Sequence, residues 1–193
     1  MSADIRAGRP RVSSRETLAE AACELFLEQG YEATSVADIA QRVGVSRSSF
    51  FNYFDSKSHV LWAAFDERLD DAITRLRALP TPATVDDVST VLRAAVAGFT
   101  PDALALAMRN AAAMGLEEEL RYESAVRHAR LAGVVAQVIR ASGGESLIAE
   151  VSAAALAATV TAALWQWAAE GAGVTDLESL VTRALSAAAA LTW

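Results

Sequence analysis

Arg47, Ser48, Ser49 and Asn52 fall within one short segment, and their side chains are the types that hydrogen-bond base edges and phosphates. Arginine can engage both major-groove acceptors of guanine, asparagine suits adenine, and serine hydroxyls serve bases or phosphates alike. Arg47 and Asn52 are therefore the candidates for reading sequence, with a plain solvated surface as the alternative for each. Tyr53 and Lys57 follow closely and are suited to phosphates. Thr34 or Ser35, at the start of a helix, could hold another phosphate. Phe51 has only a ring to offer, to a sugar or a thymine methyl. The chemistry these residues imply is contact with nucleic acid.

Other chemistries lack their residues. His59 and His128 stand apart with no paired metal-ligand spacing, and both read as helix-surface positions. No glycine-rich phosphate loop follows a strand and no nucleophile sits in an elbow. Neither an enzyme, a metal site nor a cofactor is expected.

The elements that must hold the polar segment can be read from their punctuation. Ser13 and Glu16 have capping-box spacing and open a first helix through Leu18, Ala22, Leu25 and Phe26, ended by Gly30. Glu16, Glu20, Glu24 and Glu28 line one stripe of it, and like charges at that spacing belong in water. Thr34 and Ser35 open a second helix running to Val43. Gly44 permits a tight turn, and Ser46 caps a third helix carrying the candidate contacts. That is the form of a helix-turn-helix, which lays its second helix in the DNA major groove. Ile39, Val43, Val45 and Phe50 are spaced to make its small core, and Ala40 lets the helices cross closely. Ser56 is placed to cap a fourth helix from Lys57 to about Leu79, broken at Pro80-Thr-Pro82. Further helices are expected over Val85–Phe99, Asp102–Met114, Glu117–Ala141, Ser146–Glu170 and Asp176–Leu191.

Composition agrees with an all-α chain. Of 193 residues, 53% are hydrophobic and only four are proline, and no long stretch alternates with period two. The single Cys23 excludes an intrachain disulfide, suits a reducing compartment and falls among apolar helix positions where packing is its role. Met1 to Ser14 has arginines but no apolar core, so a signal peptide is not expected and the location is cytoplasmic. Val151 to Ala169 carries no formal charge, yet it is mostly alanine with Ser152, Thr159, Thr161 and Gln166 interspersed. It reads as a helix between partner helices rather than a membrane span. The net charge of -7 opposes DNA binding overall, but the charge is uneven. Residues 1–15 hold Arg6, Arg9, Arg11 and Arg15 against Asp4 alone, and Arg42, Arg47 and Lys57 surround the polar segment against Asp55. The arginine arm reads either as a groove or phosphate contact or as plain disorder without DNA.

The order of these elements resembles the TetR family of bacterial transcriptional regulators. The likeness is carried, over about residues 13–65, by Ala22, Phe26, Gly30-Tyr31, Thr34-Ser35-Val36, Ile39-Ala40, Gly44-Val45-Ser46, the aromatic cluster Phe50–Phe54, Lys57 and Leu61. More loosely, the run from Arg47 to Phe54, with Trp62 and Phe65-Asp66 following, resembles mycofactocin-associated regulators within that family. TetR-like proteins commonly place a tyrosine where this chain has Phe51, which cannot donate the same hydrogen bond. The resemblance implies an N-terminal helix-turn-helix domain, residues 1–57, and a larger helical domain, residues 58–193, for effector binding and dimerisation. It further implies a homodimer joined by the last two long helices on a palindromic double-stranded DNA operator, with repression as the default and release by a small-molecule effector. Binding would move the fourth helix, with Leu61 to Leu79 as the lever.

Trp62, Phe65, Phe99, Met108, Met114 and Tyr122 fall on helices that enclose the pocket in TetR relatives, though such residues are also ordinary core. Trp165 and Trp167, two positions apart, point to different faces, so one could line a pocket while the other packs at an interface. Arg109 interrupts the apolar run from Ala103 to Met114; if buried it needs an acidic partner or an anionic effector. An apolar acid or acyl thioester would satisfy these residues. The alternative is a helix-turn-helix module that binds DNA and senses nothing, with a closed, filled C-terminal core.

Overall fold

The computed structural model describes residues 14–190, all of whose regular elements are helices: α1 Ser14–Gln29, α2 Val36–Arg42, α3 Arg47–Phe51, α4 His59–Arg77, α5 Val85–Val96, α6 Ala103–Arg109, α7 Ala111–Met114, α8 Glu117–Ala141, α9 Ser146–Glu170 and α10 Leu177–Ala189. The expected capping residue Ser13 and the arm arginines Arg6, Arg9 and Arg11 lie outside the described residues.

Side chains fix the helix starts. Ser35 Oγ accepts the Asp38 amide at 3.2 Å while the Asp38 carboxylate accepts the Ser35 amide at 2.8 Å, a reciprocal box that starts α2. The Ser35 hydroxyl and amide together hold the Asp38 carboxyl below the usual carboxylate range. Ser46 Oγ accepts the Ser49 amide at 3.1 Å and starts α3. Between them, Gly44 takes φ +73, a left-handed turn that any side chain would strain. Thr84 and Asp87 form a second box at α5, and Asp102 and Asp176 cap α6 and α10.

Three elements depart from expectation. Asn110 turns out of helical dihedrals and its side-chain amide donates to the Leu106 carbonyl at 2.8 Å, so Asp102–Met114 is two helices rather than one. α5 ends at Val96, where the Arg68 guanidinium takes the Ala95 and Ala97 carbonyls. α4 begins at His59, although Ser56 does accept the His59 amide at 3.0 Å.

Phe26, Ile39, Phe50 and Phe54 are fully buried among α1–α4, with Val43 and Val45 at their margin, and the same core continues without a gap into α4–α10. α9 packs along α8 and α10, while α4 crosses α5 and α8. Among the described residues α9 is the helix long and apolar enough to cross a membrane, but nearly half of its most apolar stretch is buried inside the chain, as in a core helix. Cys23 is buried as well; burial foremost, with Asp102 and Glu24 adding, pushes its thiol up to about 12, so it packs and does not react.

Candidate nucleic-acid interface and its tie to the helical domain

α3 is amphipathic over a single turn and a half. Phe50 and Phe54 anchor it from below, ring to ring at 5.2 Å. Arg47, Ser48, Phe51, Asn52 and Tyr53 lie exposed on the other side, and Ser49 is half-buried. The Arg47 guanidinium sits 5.6 Å from the centre of the Phe51 ring and has no acidic partner among the described residues. Ser48 and Ser49 hydroxyls each approach Ser46 Oγ at 2.8 Å. The Asn52 side-chain amide is unpartnered among the described residues and open to solvent, while its backbone N–H closes the helix on the Ser49 carbonyl at 3.3 Å. The structure thus brings the expected contacts of α3 onto one face.

Two of the expected phosphate contacts are placed differently. Thr34 is 1% exposed, and its hydroxyl donates inward to the Gly30 carbonyl at 2.8 Å; the exposed residue at the α2 start is Ser35. Lys57 is not a free cation. Its ammonium donates to the carbonyls of Tyr31 at 2.6 Å and Thr34 at 2.9 Å and lies 3.8 Å from the Tyr31 ring centre, tying down the α1–α2 loop. That partial burial lowers its pKa, against the pull of Glu32 and Glu119. Two of its three protons are committed, and one remains. The acidic stripe of α1 is exposed but not idle: Glu28 and Glu24 hold Arg42, the former at 2.6 Å. Arg15 likewise pairs with Glu67. Arg47 is left as the unpaired described cation on α3.

Sequence reading missed the joint between the two halves. Glu119, Glu123 and Arg127 recur every four residues and so share one face of α8. Glu119 reaches Tyr31 in the DNA-binding half, while Glu123 and Arg127 reach Ser58 at the start of α4, the helix that leaves it, and Asp66 within that helix. The Tyr31 hydroxyl donates to Glu119 at 3.3 Å, and burial foremost, then Glu119, pushes its pKa up. The Tyr31 amide donates to the Met114 carbonyl at 2.7 Å. Ser58 donates to Glu123 at 3.0 Å. Arg127, 8% exposed, grips Asp66 of α4 with two bonds of 2.7 and 2.6 Å, bonds Glu123, and lies 4.2 Å from the centre of a Trp62 ring. The four-residue spacing on α8 was the available signal; nothing local named the partners.

The residues expected to line a pocket divide. Trp62, Phe65, Phe99, Met108 and Met114 are buried, but the aromatic ones touch each other: Trp62–Phe65 at 5.8 Å, Phe65–Phe99 at 6.3 Å and Phe99–Trp167 at 5.5 Å. Trp167 therefore belongs to the core, while Trp165 is half-buried with its indole N–H on Ser124 Oγ at 3.3 Å. Tyr122 is 67% exposed on α8 and lines no interior. Arg109 is exposed too, on the outer face of α6 one turn from the exposed Leu106; it needs no buried partner. It instead edges a surface depression of about 230 Å³ with Met108, Arg121 and Trp165, beside Glu117.

An N-terminal helix-turn-helix whose recognition face is exposed, joined to an all-helical domain, defines the class of DNA-binding transcription regulators. Residues 18–64 match the profile of the bacterial regulatory proteins of the tetR family, and the N-terminal domain of this chain belongs to that family. Its relatives include the transcriptional activator FasR of Mycolicibacterium smegmatis, 34% identical over 90 residues, which are 47% of this chain and 40% of that protein. Another is MftR of Mycobacterium tuberculosis, described as a candidate mycofactocin biosynthesis transcriptional regulator, 36% identical over 64 residues, 33% of this chain and 32% of the relative. The matched stretch thus spans less than half of either relative; both are named as transcriptional regulators and not as enzymes. Across the whole fold the chain resembles the FadR repressor of Thermus thermophilus bound to lauroyl-CoA (TM-score 0.55, 24% identity, 91% of this chain and 93% of that one). It also resembles FadR of Bacillus subtilis bound to stearoyl-CoA (TM-score 0.56, 20% identity, 92% and 98%).

Proposed function

We propose that the chain is a cytoplasmic, ligand-responsive transcriptional regulator, a repressor by default, that binds a palindromic operator as a homodimer and is released by a small-molecule effector. Residues 1–57 read DNA, and residues 58–193 sense and dimerise. The observation that carries this reading is the α3 face, where Arg47, Ser48, Phe51 and Asn52 stand exposed over a buried Phe50. Arg47 and Asn52 read bases. Tyr53, Ser35 at the α2 start and the remaining proton of Lys57 hold phosphates.

Dimerisation is supported by α9. Leu147, Val151, Ala154, Ala158, Ala162, Trp165 and Ala169 follow helical spacing along it, each exposed or half-exposed in the single chain. Small residues there allow close approach of a second copy, whose two-fold symmetry would set two copies of α3 on one side. Ala158→Glu is expected to convert a dimer into a monomer in sedimentation velocity, since an unpaired carboxylate would be buried. An unchanged dimer would move the interface elsewhere.

The effector is an acyl thioester or similar apolar acid. The fold neighbours bound to lauroyl-CoA and stearoyl-CoA support that class, as does the Arg109–Arg121–Trp165 depression, which offers cations beside an aromatic surface. An effector must favour the conformation that cannot hold the operator, or it shifts nothing. Here the aromatic contacts from Trp62 to Trp167 must part to admit an acyl chain. Lauroyl-CoA and stearoyl-CoA are expected to quench tryptophan fluorescence and to release the chain from its operator in a mobility-shift titration. The filled aromatic core favours the second reading, a DNA-binding module without sensing. Operator binding indifferent to both thioesters would overturn the acyl-thioester assignment and support that second reading.

A further inference from the structure

Arg47 and Phe51 lie one helical turn apart on the exposed face of α3, with the guanidinium 5.6 Å from the ring centre. Phe51 is 45% exposed, meets the buried Phe50 edge-on at 5.5 Å, and has no polar side-chain atom to give a phosphate. Its open ring can offer only apolar contact. Arg47 has its guanidinium unclaimed by any carboxylate among the described residues. We propose that the two form one reading unit for a thymine–guanine step, in which Arg47 takes the guanine and Phe51 covers the methyl of the adjacent thymine.

The major groove makes this pairing chemically specific. Guanine presents N7 and O6 side by side and takes a two-pronged arginine, while the thymine methyl is the one apolar group a base pair displays there. Successive nucleotides are spaced by about 3.4 Å along a strand. A guanidinium and a ring held 5.6 Å apart on one helix face can therefore reach neighbouring base pairs, and a guanine and a thymine methyl never share one pair. The aromatic ring also limits the arginine's freedom, so less conformational entropy is lost when it binds. A tyrosine at position 51 could spend its hydroxyl on a phosphate; phenylalanine leaves the ring for the base. This inference rests on α3 being the DNA-contacting face.

The test uses the full chain and a duplex selected from a randomised pool, with each thymine replaced singly by deoxyuridine to remove only the methyl. One thymine per half-site, adjacent to a guanine, is expected to lose about fourfold in affinity, the transfer cost of a methyl group. Phe51→Ala should abolish that loss, and Arg47→Ala should abolish discrimination at the neighbouring guanine. If a specific site is selected but no uracil substitution weakens binding, or the penalty survives in Phe51→Ala, the reading unit is wrong while DNA recognition stands. A pool that yields no enriched sequence overturns DNA recognition and the unit together.

Discussion

Arg127→Ala is expected to lower the stability of the fold by about 3–5 kcal/mol, read as a shift of the urea midpoint at constant slope. The magnitude follows from what the arginine leaves behind. Asp66 would lose two short bonds and Glu123 two, at its carboxylate and its carbonyl, all from a side chain only 9% exposed, while the Asp66 and Glu123 side chains are 18% and 20% exposed. Removing one member of a buried ion pair strands the other's charge, and that penalty exceeds what the intact pair contributes. Trp62 would lose the cation over its ring as well. Arg127→Lys should fall between, because an ammonium cannot present two parallel donors to Asp66. The same change should loosen α4 from α8 and with it the tie between the DNA-binding half and the rest. A drop below about 1 kcal/mol would mean that the network is no more than a surface ion pair.

Arg47→Ala is expected to weaken binding to the preferred site by about 1–3 kcal/mol, roughly 5- to 150-fold, and to erase preference at one base pair per half-site. The salt dependence of binding should stay the same, since a base contact releases no phosphate counterion. Folding should be unaffected: Arg47 is exposed, and among the described residues its guanidinium meets the Phe51 ring and no carboxylate. An equal loss on all sequences, with a shallower salt slope, would make Arg47 a phosphate contact instead.

What could be read from the sequence was local. Ser35, Gly44 and Ser46 set the ends of α2 and α3 through bonds that span three or four residues, so their effect was visible in the order of residues alone. The periodic burial of Ile39 and Phe50 followed from the same helices. Lys57 shows where that kind of reading stops: a cation next to a recognition helix looks like a phosphate contact, yet its ammonium is held by carbonyls 26 and 23 residues away. Arg127 and Asp66 are separated by 61 residues, so no window of sequence could pair them. Arg109 misled for the opposite reason. It sits within an apolar run, but falls on the outer face of α6 with the exposed Leu106 three residues before it. Trp62, Phe65 and Phe99 were expected either to line a pocket or to be ordinary core; they are buried against one another and Trp167, a packing that depended on α4, the α5–α6 loop and α9 meeting.

Selection of the full-length chain against a randomised duplex pool tests the DNA-reading role of α3 most directly. An enriched inverted repeat is predicted, its half-sites centred about one helical turn apart, roughly 34–36 Å or slightly more, with Arg47→Ala blind to one position in each half. Enrichment of a motif with no two-fold symmetry, or of an inverted repeat that Arg47→Ala, Phe51→Ala and Asn52→Ala all recognise as well as the unaltered chain, would contradict it.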